Sequence, residues 1–228
     1  MTDAHFGGSG DGLFARERAT VAPGAVHIPV WLTPEYQKSI VEECDRWASG
    51  PVPARTPTLP GGRRMSVRQV CLGWHWAPYR YTRTAGGVPV LPLPRWLTEL
   101  GRAAVVDAFG VGTRFEADAA LVNFYDGGAT MGMHQDKDEH TDAPVVSLSL
   151  GDACRFRFGN TVDRGRPYRD IELRSGDLFV FGGPSRLAYH GVPKVHPDTA
   201  DPAIGIRTGR INITLRSTGL SSSATPTT

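Results

Sequence analysis

His134 and Asp136 stand one residue apart, His190 follows fifty-six positions after the first of them, and Arg210 and Arg216 lie beyond it. Side chains at i and i+2 of an extended segment point the same way, so His134 and Asp136 can reach one ion while Gln135 faces elsewhere. Two imidazoles and one carboxylate on one side of a metal leave its other positions open. That arrangement belongs to non-haem Fe(II) centres that take a co-substrate and oxygen. Buried arginines need anionic partners, and a dicarboxylic acid would supply two. His-x-Asp alone is a weak signal, because structural histidines give the same pattern. His5, His27, His140 and His196 lie in tail or loop contexts and are read as solvent-facing.

The run from Arg210 to Arg216 strengthens the metal reading. One face carries Arg210, Asn212, Thr214 and Arg216, and the other Ile211, Ile213 and Leu215. A half-exposed strand would show the same alternation. In a barrel with helices packed outside, however, the apolar face turns outward and the polar face lines the cavity. Leu121, Asn123 and Tyr125 share a face in the same way and add an amide and a phenol.

The elements that must carry these residues are legible in outline. The chain has 228 residues, 40% of them hydrophobic and 21% charged, ordinary for one globular domain. Thr33-Pro34 marks a helix start, and Tyr36, Ile40, Val41, Cys44 and Trp47 fit one helical face ending near Gly50. A second helix is predicted over 94–109, with Leu97, Leu100, Ala104 and Phe109 inward. From residue 119 onward short β runs take over: 120–125, 144–150, 155–158, 169–173, 177–181, 187–192 and 210–215. Glycine turns separate them, which predicts a mainly β fold with flanking helices and a jelly-roll core. Residues 1–20 and 218–228 read as mobile tails. No signal peptide and no apolar run of membrane-spanning length is evident, and the three cysteines show no C-x-x-C spacing. A cytoplasmic, monomeric protein with reduced thiols is expected.

Charge is unevenly placed. Between Arg46 and Thr98 there are eight arginines and no Asp or Glu, on a chain whose formal net charge is only +2. The same segment holds Gly73-Trp74-His75-Trp76-Ala77-Pro78-Tyr79-Arg80-Tyr81 and strand-like pieces at 65–72 and 79–82. Core packing would explain some of these aromatics but not the missing acids. A surface facing phosphates explains both, because arginines bind the backbone and aromatics stack on bases. Residues 50–95 are accordingly read as a cover over the core.

Residues 119–218 resemble the catalytic core of the AlkB family, the Fe(II)- and 2-oxoglutarate-dependent dioxygenases that dealkylate nucleic acids. The resemblance rests on Asn123-Phe-Tyr125, His134-Gln-Asp136-Lys-Asp138-Glu139, Val145-Val-Ser-Leu-Ser-Leu150, Gly182-Gly-Pro-Ser-Arg186, Tyr189-His190-Gly191 and Arg210-Ile-Asn212-Ile-Thr-Leu-Arg216. It implies a double-stranded β-helix core over 119–217, within a dioxygenase domain spanning 21–217. His134, Asp136 and His190 would hold iron; Asn123, Tyr125, Arg210, Asn212 and Arg216 would bind 2-oxoglutarate. Asp138 would accept from the exocyclic amino group of the target base, which adenine and cytosine donate and thymine does not. Trp74 would stack on the flipped base, Tyr79 would contact phosphate, and Met65 would begin the nucleotide-binding cover. The Trp74–Tyr79 interval is shorter than the family pattern.

The implied reaction uses O2 and 2-oxoglutarate to remove small alkyl groups from 1-methyladenine and 3-methylcytosine, in single-stranded DNA or with the base flipped out, and in RNA as a second candidate. Formaldehyde, succinate and CO2 would be released. One rival keeps the iron chemistry but aims it at a protein or small molecule, and would not need the arginine-rich cover. Another is a silent reader of modified nucleic acid, which would not need the triad or both arginines.

Overall fold

The computed structural model describes residues 16–221. Strands β1 (Ala19–Ala22) and β2 (Ala25–Ile28) precede helix α1 (Pro34–Ala48). Then come β3 (Arg68–Leu72), β4 (His75–Ala77), β5 (Arg80–Thr82), β6 (Thr84–Ala85), β7 (Val88–Pro89) and helix α2 (Arg95–Phe109). The remaining strands are β8 (Ala119–Tyr125), β9 (Met131–His134), β10 (Val145–Gly151), β11 (Cys154–Phe158), β12 (Arg169–Leu173), β13 (Leu178–Phe181), β14 (His190–Val195) and β15 (Arg210–Arg216). They form a seven-stranded sheet in the order β1-β2-β13-β10-β15-β8-β3 and a four-stranded sheet in the order β12-β11-β14-β9. Every pairing between neighbours is antiparallel, and the two sheets make the jelly roll.

Period-2 alternation decides what each face does. In β13, Leu178 and Val180 join the core beneath the helices, whereas Phe179 and Phe181 join a second core with Phe156 and Phe158 between the sheets. Burying each of these side chains is worth about 2–3 kcal/mol. In β15, Ile211, Ile213 and Leu215 face the helices and the polar alternates line the interior cavity. The outward-apolar, inward-polar strand is therefore as the barrel argument requires. Helix α1 starts where Thr33 accepts a hydrogen bond from the Tyr36 amide at 3.3 Å, with Pro34 in its first turn. It buries Ile40, Val41, Cys44 and Trp47; helix α2 buries Leu97, Leu100 and Ala104.

Three expectations need correction. The part of the first tail that is described, residues 16–20, is held down. Arg16 pairs with the fully buried Asp177 at 2.6 Å, and β1 adds an edge strand to the large sheet. At the other tail, the Thr218 amide and hydroxyl both bond Asp118 at 2.6 Å. Residues 1–15, which include His5, and 222–228 lie outside the described residues. His27 is buried rather than solvent-facing, with its Nε2 3.0 Å from Asp177. His140 is exposed and His196 half-buried. Finally, the strand expected over 187–192 begins at His190, after a short 3-10 turn at Gly183–Ser185.

Candidate active site

The cavity between the sheets has a volume of about 870 Å³, within the range of small-molecule sites. His134 ends β9 and His190 begins β14, and the two pair directly across the strands. Gly191 permits the approach: a Cβ there would stand 2.7 Å from the Met131 carbonyl. The imidazole centroids are 4.5 Å apart.

Each metal-facing atom is left free because its sister atom is engaged. His134 Nδ1 bonds the Gly132 carbonyl at 2.9 Å and His190 Nδ1 the Ala188 carbonyl at 3.0 Å, which orients both Nε2 lone pairs inward. Asp136 Oδ1 accepts from Arg216 at 2.6 Å, while its buried Oδ2 has no hydrogen-bond partner. Asp136 Oδ2 lies 3.6 Å from His190 Nε2, and Asp136 Oδ1 3.7 Å from His134 Nε2. These gaps are too long for hydrogen bonds but suit ligands that share an ion. One donor atom from each side chain falls within 4.8 Å of the others, so the donor set fits a metal held on one side.

Electrostatics favour the ligand forms. Loss of water around the ring, then the neighbouring His190, push the His134 imidazole down to about 4, so it is neutral near pH 7. Burial alone would raise the Asp136 carboxyl, but Arg216 and then His190 outweigh it and hold it well below the usual carboxylate range.

Behind the triad lies a polar row shared by four strands. Gln69 donates to Asn123 at 2.9 Å, Asn123 to Asn212 at 3.4 Å, and Asn212 to the Ser147 hydroxyl at 2.8 Å. Tyr125 sits opposite Arg210 in the ladder. Burial pushes the Tyr125 phenol above its ordinary value and keeps it an O–H donor. Arg210 donates to the Ser149 hydroxyl at 2.8 Å, yet its buried Nε has no partner, and neither has Arg216 Nε. Buried guanidinium N–H groups without acceptors are costly, and a carboxylate would satisfy them.

All five expected diacid residues line this cavity, as do Met65, Tyr79 and Asp138. Trp74 does not. The Arg83 guanidinium lies over its ring at 3.6 Å, and its indole N–H reaches Ser221 at 3.3 Å. Trp76 lines the cavity instead and donates to Asp138 at 2.8 Å. The cause is local: Gly73 turns the chain at φ +75°, and β4 begins only at His75. Sequence reasoning also missed Glu139. Its fully buried carboxylate pairs with Arg216 and Arg186 at 2.9 Å each and accepts from the Tyr81 phenol of the cover. Ser147 and Ser149 were available as a signal, since Val145–Gly151 alternates as Arg210–Arg216 does.

A jelly roll with a one-sided histidine–carboxylate triad, beside two buried arginines whose Nε–H groups lack acceptors, defines the non-haem iron, 2-oxo-acid class of oxygenase. Residues 24–216 match the 2OG-Fe(II) oxygenase superfamily. An AlkB homologue from Caulobacter vibrioides is 37% identical over 207 residues, covering 86% of this chain and 89% of its own length. Escherichia coli AlkB is 38% identical over 181 residues, covering 73% and 78%. An Arabidopsis thaliana relative named DNA N(6)-methyladenine demethylase ALKBH1D is 30% identical across 89% of this chain, which spans about half (51%) of that protein. The solved structure of OsALKBH1 superposes with a TM-score of 0.79 at 32% identity, over 87% of this chain and all of that one. The chain belongs to the AlkB family of the 2OG-Fe(II) oxygenases, whose cofactor set is Fe(II), 2-oxoglutarate and O2.

Proposed function

We propose that this protein oxidatively demethylates N-alkylated bases in nucleic acid, with 1-methyladenine and 3-methylcytosine in DNA as its main substrates. One juxtaposition carries the reading: the triad and its arginines form the floor of a cavity whose wall is the acid-free, arginine-rich cover. A small-molecule or protein hydroxylase needs the floor but not that wall.

Bound Fe(II), with 2-oxoglutarate and O2, supplies an oxidant for the N-methyl C–H bond, 2-oxoglutarate leaving as succinate and CO2. Hydroxylation of the methyl group yields an N-hydroxymethyl base that releases formaldehyde. The chain's own residues do the rest. His134, Asp136 and His190 hold the metal. Arg216, already fixed to Asp136, serves the 2-oxoglutarate end beside it, and Arg210 with Tyr125 holds the remote carboxylate. Asn123 and Asn212 fix the acid between them. Trp76, in place of Trp74, offers the flat surface for the base. Asp138 faces it as an anion suited to the positive charge that both methylated bases carry. Met65 closes the base side, and Tyr79, exposed at the rim, meets phosphate.

Among the described residues no helix is long and apolar enough to cross a membrane. Buried, unpaired Cys44, Cys71 and Cys154 support a reducing cytoplasmic setting, and two cores closed within one chain support a monomer.

The test is succinate and formaldehyde release with oligonucleotides carrying 1-methyladenine, 3-methylcytosine, N6-methyladenine or no methyl group. Release with the first two, at one formaldehyde per succinate, supports the reading. Release with N6-methyladenine alone would overturn the substrate assignment, and none above the unmethylated control would overturn the function.

A further inference from the structure

The cover touches the segment that follows the metal-facing residues through one rung of its β4–β5 ribbon. Trp76 and Tyr81 stand directly opposite one another there, so their side chains share a face. The Tyr81 phenol donates to Glu139 and accepts from Arg216 at 3.1 Å. Glu139 is held in turn by Arg186 at 2.9 Å, and Arg186 also donates to the Ala143 carbonyl at 2.7 Å. One end of the rung is therefore tied into the buried floor. The other end, the Trp76 indole, places its N–H on Asp138 Oδ2 at 2.8 Å.

Asp138 has little else to hold it. It lies beyond β9, outside any helix or strand, and is half-buried at the cavity wall. The buried arginines nearby are taken by Asp136 and Glu139. Among the described residues the indole is the one hydrogen-bond partner of the Asp138 carboxylate. An aspartate in such a loop ordinarily rotates away from an unfavourable neighbour. Here an anchored donor occupies one oxygen and leaves Oδ1 for a ligand.

The consequence is clearest with two bases of nearly equal shape. 3-Methylcytosine and 3-methylthymine carry the alkyl group on the same ring nitrogen. At position 4 the first presents an amine that donates, the second a carbonyl that accepts. A carboxylate only accepts, so Oδ1 bonds the first and repels the second. A mobile carboxylate would swing away and lose the repulsion; a tethered one cannot. Rejection requires the repulsive contact to persist as well as the attractive one to form. We propose that the Trp76 indole N–H is a specificity-determining group. By tethering Asp138 it makes the protein reject alkylated bases that carry a carbonyl where cytosine and adenine carry an amine. This inference rests on the demethylase reading and gives it a discriminating device that Asp138 alone does not supply.

The test sets Trp76→Phe, which keeps a ring for the base but deletes the N–H, against the wild type. The substrates are one single-stranded oligonucleotide bearing 3-methylcytosine or 3-methylthymine at the same position. The wild type should favour the cytosine adduct by about 100-fold in kcat/KM, and the variant should shrink that ratio about ten-fold, the worth of one charged hydrogen bond. Asp138 keeps its charge in the variant, so attraction for the cationic cytosine adduct does not account for the change. In an Asp138→Asn background, adding Trp76→Phe should leave the ratio unaltered. Equal losses on both substrates, or an equal shift of the ratio in that background, would overturn the inference, because either marks a stacking role alone. So would a wild type that treats both adducts alike. If the wild type releases formaldehyde from neither, the function reading has failed. Binding of the two oligonucleotides, measured by anisotropy, then decides the tether. The ratio of their dissociation constants should fall about ten-fold in Trp76→Phe, and an unchanged ratio rejects it.

Discussion

The floor of the cavity and its cover are built to different tolerances. On the floor nearly every polar atom has a fixed partner, and those without one face where the metal or the diacid belongs. The cover is made from the two-stranded ribbons β4–β5 and β6–β7, and its Tyr79 is 63% exposed at a positive φ of 69°. A one-sided metal site fails if its donors drift by an ångström, whereas a surface that reads a polymer backbone gains from adjustable arginines. The acids following the first histidine join the two. Asp136 belongs to the triad that could hold a metal, Asp138 takes the Trp76 indole, and Glu139 takes the Tyr81 phenol while holding two buried arginines.

Substitutions can break that contrast or sharpen it. Asp136→Asn should reduce metal-dependent 2-oxoglutarate turnover by at least about 100-fold with the circular dichroism spectrum unchanged. Substantial turnover would remove Asp136 from the ligand set. Glu139→Gln should cost about 3 kcal/mol in urea unfolding, because it weakens the partner of two buried guanidiniums; a loss below about 1 kcal/mol would show the floor tolerates slack. Arg210→Ala should raise the 2-oxoglutarate KM about ten- to a hundred-fold, the worth of one charged hydrogen bond or two. An unchanged KM would place the acid elsewhere.

A pH measurement probes the seam between the two regions. Burial, then Arg55 alongside, push the His75 imidazole down to about 4. The unfolded chain takes up this proton near pH 6.5 and the folded chain resists it until about pH 4. Its contribution is therefore fully present above pH 6.5 and lost as pH falls toward 4. His75→Gln should flatten the decline in stability between pH 7 and 5 by about 1–2 kcal/mol. An identical decline would mean that His75 titrates normally. The mildest change is on the outer cover: Arg63→Ala with Arg64→Ala should weaken single-strand binding about five-fold and lower the salt slope by about 1.4. It should leave substrate-free consumption of 2-oxoglutarate untouched, and a fall there would erase the contrast.

The contrast also governed what could be read from the chain. The floor lies on regular strands, so alternation alone put Arg210, Asn212 and Arg216 on one face and Asn123 with Tyr125 on another. Glu139 shows where that logic stops: past Asp136 the period is lost, and nothing local says that Glu139 turns inward to Arg186, 47 residues on. In the cover, two tryptophans sit two positions apart, and a glycine turn with a hairpin register decided between them. The resemblance pointed to Trp74, whereas Trp76 is the one of the two that lines the cavity. His27 became a core residue only through Asp177, 150 positions away, a pairing no local pattern announces.

Strand β15, the last among the described residues, is inserted in the middle of the large sheet between β10 and β8. Until it docks, both neighbours present open edges, and the cavity lacks both of its buried arginines, Arg210 and Arg216. During synthesis the two histidines and the aspartate emerge from the ribosome before this strand does. Because Arg216 on this strand also fixes Asp136, the triad and the arginine pair reach their final arrangement together, when the central strand zips into place.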